Sequence, residues 1–161
     1  MLETIPGYHR IDPRALSYWR WTGLLNSIFI WLIPLSYQQA MRWWELPLWI
    51  FPMLMLLAVS ATVFKIAVIP KVRWNTWLYD VSEQQIDLRF GVFVKYRTLI
   101  PMVRVQHVDT EQGPLLSHYG LSTVTISTAA GKHKIPALAD DVAAELRERI
   151  SRLARMVDED V

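Results

Sequence analysis

Residues 21–37 read WTGLLNSIFIWLIPLSY, and residues 46–64 read LPLWIFPMLMLLAVSATVF. The two runs are 17 and 19 residues long, and neither contains Asp, Glu, Lys or Arg. A helix needs roughly 20 mostly apolar residues to cross a bilayer core of about 30 Å. Runs of this kind are typical of membrane proteins and unusual in soluble domains. We therefore predict a transmembrane hairpin of two helices over residues 20–69.

The charged residues divide the chain into three parts. Residues 71–161 carry twelve Lys or Arg and twelve Asp or Glu, a balance typical of a soluble domain. We predict an N-terminal segment at 1–19, the hairpin at 20–69 and a soluble domain at 70–161. The net charge of +2 lies outside the neutral soluble part, so it does not indicate nucleic-acid binding. The absence of cysteine excludes disulfides and thiolate chemistry.

The residues that flank the two runs predict their orientation in the membrane. Three cations precede the first run, three follow the second, and one lies in the turn between them: Arg10, Arg14 and Arg20; Lys65, Lys71 and Arg73; and Arg42. The positive-inside rule then places both chain ends in the cytoplasm. Indole rings prefer the headgroup boundary, which predicts five interface anchors at Trp19, Trp21, Trp43, Trp44 and Trp74.

From Trp74 onward the apolar period changes to two, as in half-buried strands. Six short alternating runs predict strands at 77–81, 86–90, 92–99, 103–111, 121–127 and 132–135. The phase of the alternation slips at Gln106-His107, which predicts a β-bulge or an inward-facing His107. An amphipathic helix follows at about 140–157 and is expected to cover the sheet core rather than a partner. The predicted domain is a small β-sandwich or partly open barrel capped by this C-terminal helix.

Three short motifs carry a family resemblance: Arg104-Val105-Gln106-His107-Val108, Gln112-Gly113-Pro114-Leu115-Leu116 and Gly120-Leu121. They resemble the signature of a bacterial pleckstrin-homology (PH)-like family of membrane proteins, in its small type with two spans and one domain. The resemblance implies a bent sheet capped by a C-terminal helix, and it transfers no catalytic residues. It also implies a larger multispan relative as a companion. Family members often have a basic pair where this chain has Ser117-His118, so no anion contact is expected there.

Candidate catalytic and metal-binding patterns are weak in this sequence. His107-x-Asp109-x-Glu111 could bring an imidazole and two carboxylates to one strand face, but a solvated face explains it better. A triad of Ser117, His107 and Asp109 lacks the G-x-S-x-G elbow. Phosphate-binding glycine loops are absent from the sequence as well. We predict a protein that is not an enzyme and uses no cofactor or metal.

Two basic pairs and one leucine pair are candidates for partner or membrane contact: Lys95 and Arg97, Lys132 and Lys134, and Leu115 and Leu116. Each cation could contribute about 1 kcal/mol beside an anionic leaflet, unless these strands present an ordinary charged face. The leucines either plug the open end of the barrel or form an exposed apolar knuckle. The hairpin turn Ser82–Gln85 is short and acidic, which argues against a PH-type phosphoinositide pocket.

These observations favour a membrane-anchored, non-enzymatic interaction or scaffold module at the cytoplasmic face of the bacterial inner membrane. The linker at 65–73 is short, so the domain stays near the bilayer and modest affinities for neighbouring proteins suffice. The expected partners are the lipid bilayer and either a second copy or a larger multispan PH-like membrane protein. Two alternatives stay open: a module that binds anionic lipid headgroups, and an accessory subunit of a transport, export or resistance complex.

Overall fold

The chain forms two structural units in the computed structural model, which describes residues 7–44, 46–92 and 94–159. One unit combines Met1–Ala15 with Arg73–Val161, and the other comprises Leu16–Val72. The helices are α1 Ala15–Ala40, α2 Ile50–Val63, α3 Ile69–Thr76, α4 Pro114–His118 and α5 Asp140–Glu159. The strands are β1 His9–Arg10, β2 Leu78–Val81, β3 Gln85–Phe90, β4 Tyr96–Pro101, β5 Val105–Glu111, β6 Leu121–Thr128 and β7 Gly131–Ala139.

One long helix has the length and composition to cross a membrane. It runs without interruption over Ile50–Thr76, through α2, a π-helical turn at Phe64–Val68 and α3, and an 18-residue stretch of it has a mean hydropathy of 2.1. Among the described residues no second helix is both long and apolar enough. Although α1 has 26 residues, its Trp, Tyr, Asn and Ser side chains lower its hydropathy. The structure therefore supports one membrane span, and the two-span hairpin stays a prediction.

Small side chains let α1 approach the second helix closely within the apolar unit. A Cβ added at Gly23 would lie 3.3 Å from the carbonyl oxygen of Lys65. One turn further along α1, the buried Ser27 donates a hydrogen bond to the Gly23 carbonyl at 2.7 Å. Ala58 of α2 is also buried. Small residues at such crossings are the usual means of packing helices in lipid.

Two antiparallel sheets form the other unit, in the orders β1-β2-β3-β4 and β5-β6-β7. Strand β1 precedes α1 in the chain, yet it pairs with β2 through His9 opposite Tyr79 and Arg10 opposite Leu78. The sequence pattern predicts a separate segment at 1–19 and six strands. The part of that segment around β1 instead belongs to the sheet unit, because its backbone hydrogen bonds are completed by β2.

The core of this unit lies between the two sheets and α5. Its fully buried members include Ile86, Leu88, Ile126, Ile135 and Ile150. The prediction of a C-terminal helix that covers the sheets is confirmed, with one shift in the buried face. Val142 is exposed, whereas Ala143 on the next position is fully buried.

Two irregularities shape the sheets. The predicted bulge is confirmed, since the register of β5 against β6 shifts between Val105 and His107. The register of β6 against β7 shifts as well, and there Ala137 adopts a positive φ of 53°. The third predicted strand is shorter than expected because Gly91, at φ +136°, begins a tight turn before β4. A Cβ at Gly91 would lie 1.9 Å from the carbonyl oxygen of Val94.

Candidate interaction surfaces

The chain leaves the sheet unit after Ala15 and re-enters it at Arg73, and the residues beside these two points contact each other. The indole Nε1 of Trp74 donates to the carbonyl oxygen of Ile11 at 3.3 Å. The guanidinium carbon of Arg10 lies 5.6 Å from the centre of the Trp74 ring. Together with the β1–β2 pairing, these contacts bring both connections to one end of the unit, which we call the tether end.

The N-terminal segment is also bound to the second sheet. The backbone nitrogen of Asp12 donates to the carbonyl oxygen of Ala137 at 3.3 Å, and Arg14 Nη1 donates to that of Tyr119 at 3.1 Å. Arg14 and Asp12 form an ion pair at 3.0 Å. The hydrogen bonds from Arg14 lower the pKa of Asp12 despite its partial burial. The segment therefore joins both sheets.

A buried carboxylate, Asp87, organises the outer face of the first sheet. It is 4% exposed and accepts hydrogen bonds from Tyr8 Oη and from Arg97, whose Nη2 lies at 2.8 Å. Arg89 Nη2 lies at 3.7 Å from the same carboxylate, and its Cζ is 4.4 Å from the centre of the Tyr8 ring. Burial alone would raise the pKa of Asp87, but the hydrogen bonds from Arg97 and Tyr8 outweigh it and lower the pKa.

The sequence pattern gives no sign of the Asp87 cluster. In the alternation of β3, Asp87 occupies an ordinary outward-facing position between two core residues. The burial of Asp87 depends on Tyr8, which lies before α1 and shows no strand pattern of its own. Burial and the hydrogen bond to Asp87 raise the pKa of the Tyr8 hydroxyl. The cluster thus fixes the N-terminal segment to the sheet.

The two predicted basic pairs differ in their surroundings. Lys95 precedes β4 and is exposed, while Arg97 lies within β4 and is paired with Asp87. Lys132 is exposed on β7, whereas Lys134 Nζ forms an ion pair with Glu111 Oε2 at 2.7 Å. Bonding to Lys134 lowers the pKa of Glu111. Only part of the predicted positive charge is therefore available to an external ligand.

The leucine pair lies in the short helix α4. Leu116 is buried at 8% exposure and Leu115 is partly buried, so Leu116 fits the plug and not an exposed knuckle.

The predicted tryptophan anchors differ from one another in exposure. Trp19 is buried, Trp74 is partly buried, and the other three are exposed: Trp21, Trp43 and Trp44.

The metal-like spacing on β5 does not form a metal-binding group. His107, Asp109 and Glu111 are all exposed, and no cluster of three metal-ligating side chains occurs among the described residues. Glu111 is already paired with Lys134. A groove of about 630 Å³ lies between β5 and the end of α5, beside His107 and Arg155.

Two smaller clefts lie near the end of β3, on either side of Phe90. The ring of Phe90 stacks on Trp77 with centroids 4.9 Å apart and lies 5.6 Å from the centroid of Tyr96. One cleft, of about 380 Å³, includes Arg89 and Arg97. The other, of about 330 Å³, extends toward the start of β7. These clefts place cations and aromatic rings close to the tether end.

Comparison with known proteins identifies the family. The bacterial PH domain family matches residues 15–154, which cover most of the chain from α1 to the last turns of α5. The chain belongs to this family. It is similar to the UPF0699 transmembrane protein YdbS of Bacillus subtilis (strain 168), with 44% identity over 153 residues that cover 95% of this chain and 96% of that protein. The predicted family resemblance is confirmed.

A second relative is much longer than this chain. The UPF0699 transmembrane protein YdbT of the same organism is 25% identical over 79 residues, which are 49% of this chain and 16% of that protein. The family match assigns the chain a bacterial PH domain, and the relatives YdbS and YdbT are both named transmembrane proteins. The match to the family begins at Ala15, so β1 and the Tyr8 contact lie before it.

Proposed function

We propose that the protein is a membrane-anchored, non-enzymatic interaction module, with two spans and both chain ends in the cytoplasm. Its PH domain is held beside the inner leaflet, where it contacts other membrane proteins. Membership of the bacterial PH domain family supports a binding rather than a catalytic role.

The pairing of β1 with β2 is the observation that carries the proposal. The first strand precedes α1 and the second follows α3, yet His9 lies opposite Tyr79 in one sheet. Strands of a single sheet occupy the same side of a bilayer, so the chain between them crosses an even number of times. If Ile50–Thr76 crosses once, a second crossing is required. The 26 residues of α1 measure about 39 Å, which is long enough.

The flanking charges support a cytoplasmic domain. Basic residues precede and follow the predicted hairpin in the sequence, and some of them, including Arg10 and Arg73, are next to the tether end. The turn between the helices has Arg42 as its one cation. Short loops rich in Lys and Arg remain in the cytoplasm. The turn would then face outward and offer too few residues for an external receptor domain.

A polar residue on α1 supports lateral association. Asn26 is exposed near the middle of this helix, and its side chain bonds to none of the residues that the structure describes. Within a bilayer such a side chain favours contact with another helix, because lipid offers it no hydrogen bond. A second copy or a larger multispan PH-domain protein would supply that helix.

Cysteine labelling tests the topology, and the natural chain has no cysteine to interfere. We expect a membrane-impermeant maleimide to label the exposed turn variant Trp44→Cys in intact cells. His9→Cys and Glu83→Cys should react only after the cells are permeabilised, since both positions belong to the sheet unit. Labelling of His9→Cys and Glu83→Cys from opposite sides would overturn the two-span arrangement.

Association in the membrane needs a separate experiment. The full chain, purified in mild detergent, is expected to form a homo-oligomer or to retain a multispan PH-domain protein. Asn26→Leu should weaken that complex, whereas Leu25→Ala, at an exposed neighbouring position, should not. A monomer that retains no membrane protein would contradict the interaction role and leave the topology unaffected.

A further inference from the structure

The cleft of about 380 Å³ at the end of β3 has the features of an anion-binding site. It is lined by residues from the end of α3, from β2 and from both sides of the β3–β4 turn. Arg89, Lys95 and Arg97 supply cationic groups, and Tyr96 supplies an aromatic wall. Asn75, in the last turn of α3, adds an amide. Cations, an amide and an aromatic ring suit a phosphate attached to an apolar body.

The positive charge in this cleft exceeds its nearby negative charge. Arg89 and Arg97 share the single carboxylate of Asp87, and Lys95 forms no ion pair within the described part of the chain. Neither Asp87 nor Asp80, which lies opposite it on β2, lines the cleft, but both carboxylates are close to its cations. Three cations against two carboxylates leave one positive charge. The Nε of Arg89 is buried and has no hydrogen-bond partner among the described residues.

The cleft also lies at the tether end of the sheet unit. Asn75 and Thr76 are the last residues of the helix that can cross a membrane, and they form part of its wall. The turn beside the cleft carries the exposed side chain of Val94, and Tyr96 follows it with 56% exposure. A rim of exposed apolar groups around basic side chains is typical of surfaces that meet the lipid headgroup region.

We propose that this cleft binds the phosphate of an anionic phospholipid from the inner leaflet. The inference rests on the proposed placement of the domain beside the bilayer. Lys95 and Arg97 attract the headgroup phosphate, while Tyr96 and Val94 lie against the glycerol and upper acyl region. The site is at the opposite end of β3 from the turn Ser82–Gln85. It is therefore distinct from the PH-type phosphoinositide pocket, against which the acidic character of that turn argues.

Lipid titration of the full-length protein in non-ionic detergent tests this site. Native mass spectrometry would measure the occupancy by short-chain phosphatidylglycerol, phosphatidylcholine and soluble glycerol phosphate. We expect phosphatidylglycerol to bind more tightly than either of the others. Lys95→Gln removes one unit of positive charge and should weaken that binding about fivefold. Lys95→Glu changes the charge by two units and should weaken it about 25-fold.

The matched control is Arg104→Gln. Arg104 is exposed at the other end of β4, outside the cleft, and its replacement should leave phosphatidylglycerol affinity unchanged. Equal binding of phosphatidylglycerol and phosphatidylcholine, or equal losses for Lys95→Gln and Arg104→Gln, would overturn the proposal. Equally tight binding of glycerol phosphate would assign the cleft to a free phosphate ester instead. None of these results would alter the outcome of the topology labelling, so the two proposals fail separately.

Discussion

Replacing Ile11 by Ala tests whether the N-terminal segment is part of the folded domain. Ile11 precedes α1, yet its side chain is 2% exposed, and its carbonyl accepts the Trp74 indole hydrogen bond. Were the segment only a flexible leader before the membrane, truncation of this side chain would have little effect on stability. In the structure it removes part of a packed core.

The size of the effect follows from the three carbon atoms that are lost. At about 0.8 kcal/mol for each buried methylene, transfer alone accounts for about 2.4 kcal/mol. The cavity left behind increases this, and buried Ile→Ala changes typically cost about 2–5 kcal/mol in total. We therefore expect the free energy of unfolding to fall by about 3 kcal/mol. For a domain of this size that lowers Tm by about 12 °C or more.

Thermal unfolding of the full chain in detergent, followed by tryptophan fluorescence, provides the measurement. Hydrogen exchange of the amides of β2 and β3 would show that the loss occurs in the sheet unit. Val103→Ala is the matched control, because Val103 is 59% exposed and its truncation should change Tm very little. If Ile11→Ala and Val103→Ala shift Tm equally, the N-terminal segment does not contribute to the core.

Three further predictions concern single residues of the sheet unit. The folded-state pKa of Asp87 is lowered, so its ionised form stabilises the fold above the unfolded pKa of about 3.9, and this contribution is lost as the pH falls through the folded value. Asp87→Asn should therefore have a lower Tm at neutral pH and a weaker loss of Tm on acidification; an unchanged acid profile would refute the role of the cluster. Gly91→Ala should destabilise the β3–β4 turn, since its Cβ would meet the Val94 carbonyl, and increased hydrogen exchange confined to that hairpin checks it. Ala137→Val should lower Tm more than Ala137→Gly, because a β-branched residue is strained at positive φ in a fully buried position, and the reverse order of Tm would contradict this.

The helices α1, α2 and α5 and most strands could be predicted because their signals are local. The uncharged run within Ile50–Thr76 and the apolar stripe of α5 are visible over a few turns of sequence. The bulge at Gln106 could be predicted from the same kind of signal, because one extra residue reverses the alternation on β5. A pattern that repeats within ten or twenty residues needs no knowledge of distant contacts.

The contacts of the N-terminal segment could not be predicted in this way. β1 has two residues, which is too short for an alternation, and its partner lies beyond the entire hairpin. Tyr8 and Asp87 look like ordinary polar positions until the two strands are brought together. For the same reason the sequence groups Arg97 with Lys95 as a possible contact but gives no sign of the ion pair between Arg97 and Asp87.

The pairing of β1 with β2 is tested most directly by a disulfide across the two strands. Arg10 lies opposite Leu78, and opposed residues of an antiparallel pair have Cα atoms about 4.5–5.5 Å apart, within the range that a disulfide spans. In native membranes under mild oxidation, we predict rapid cross-linking of the double variant Arg10→Cys/Leu78→Cys, detected as a mobility shift under non-reducing conditions. The pair Arg10→Cys/Glu83→Cys should stay reduced, because Glu83 lies in the turn beyond the far end of β2. Equal reactivity of the two pairs, or no cross-link in either, would contradict a sheet that combines a strand before the membrane segment in the chain with strands after it.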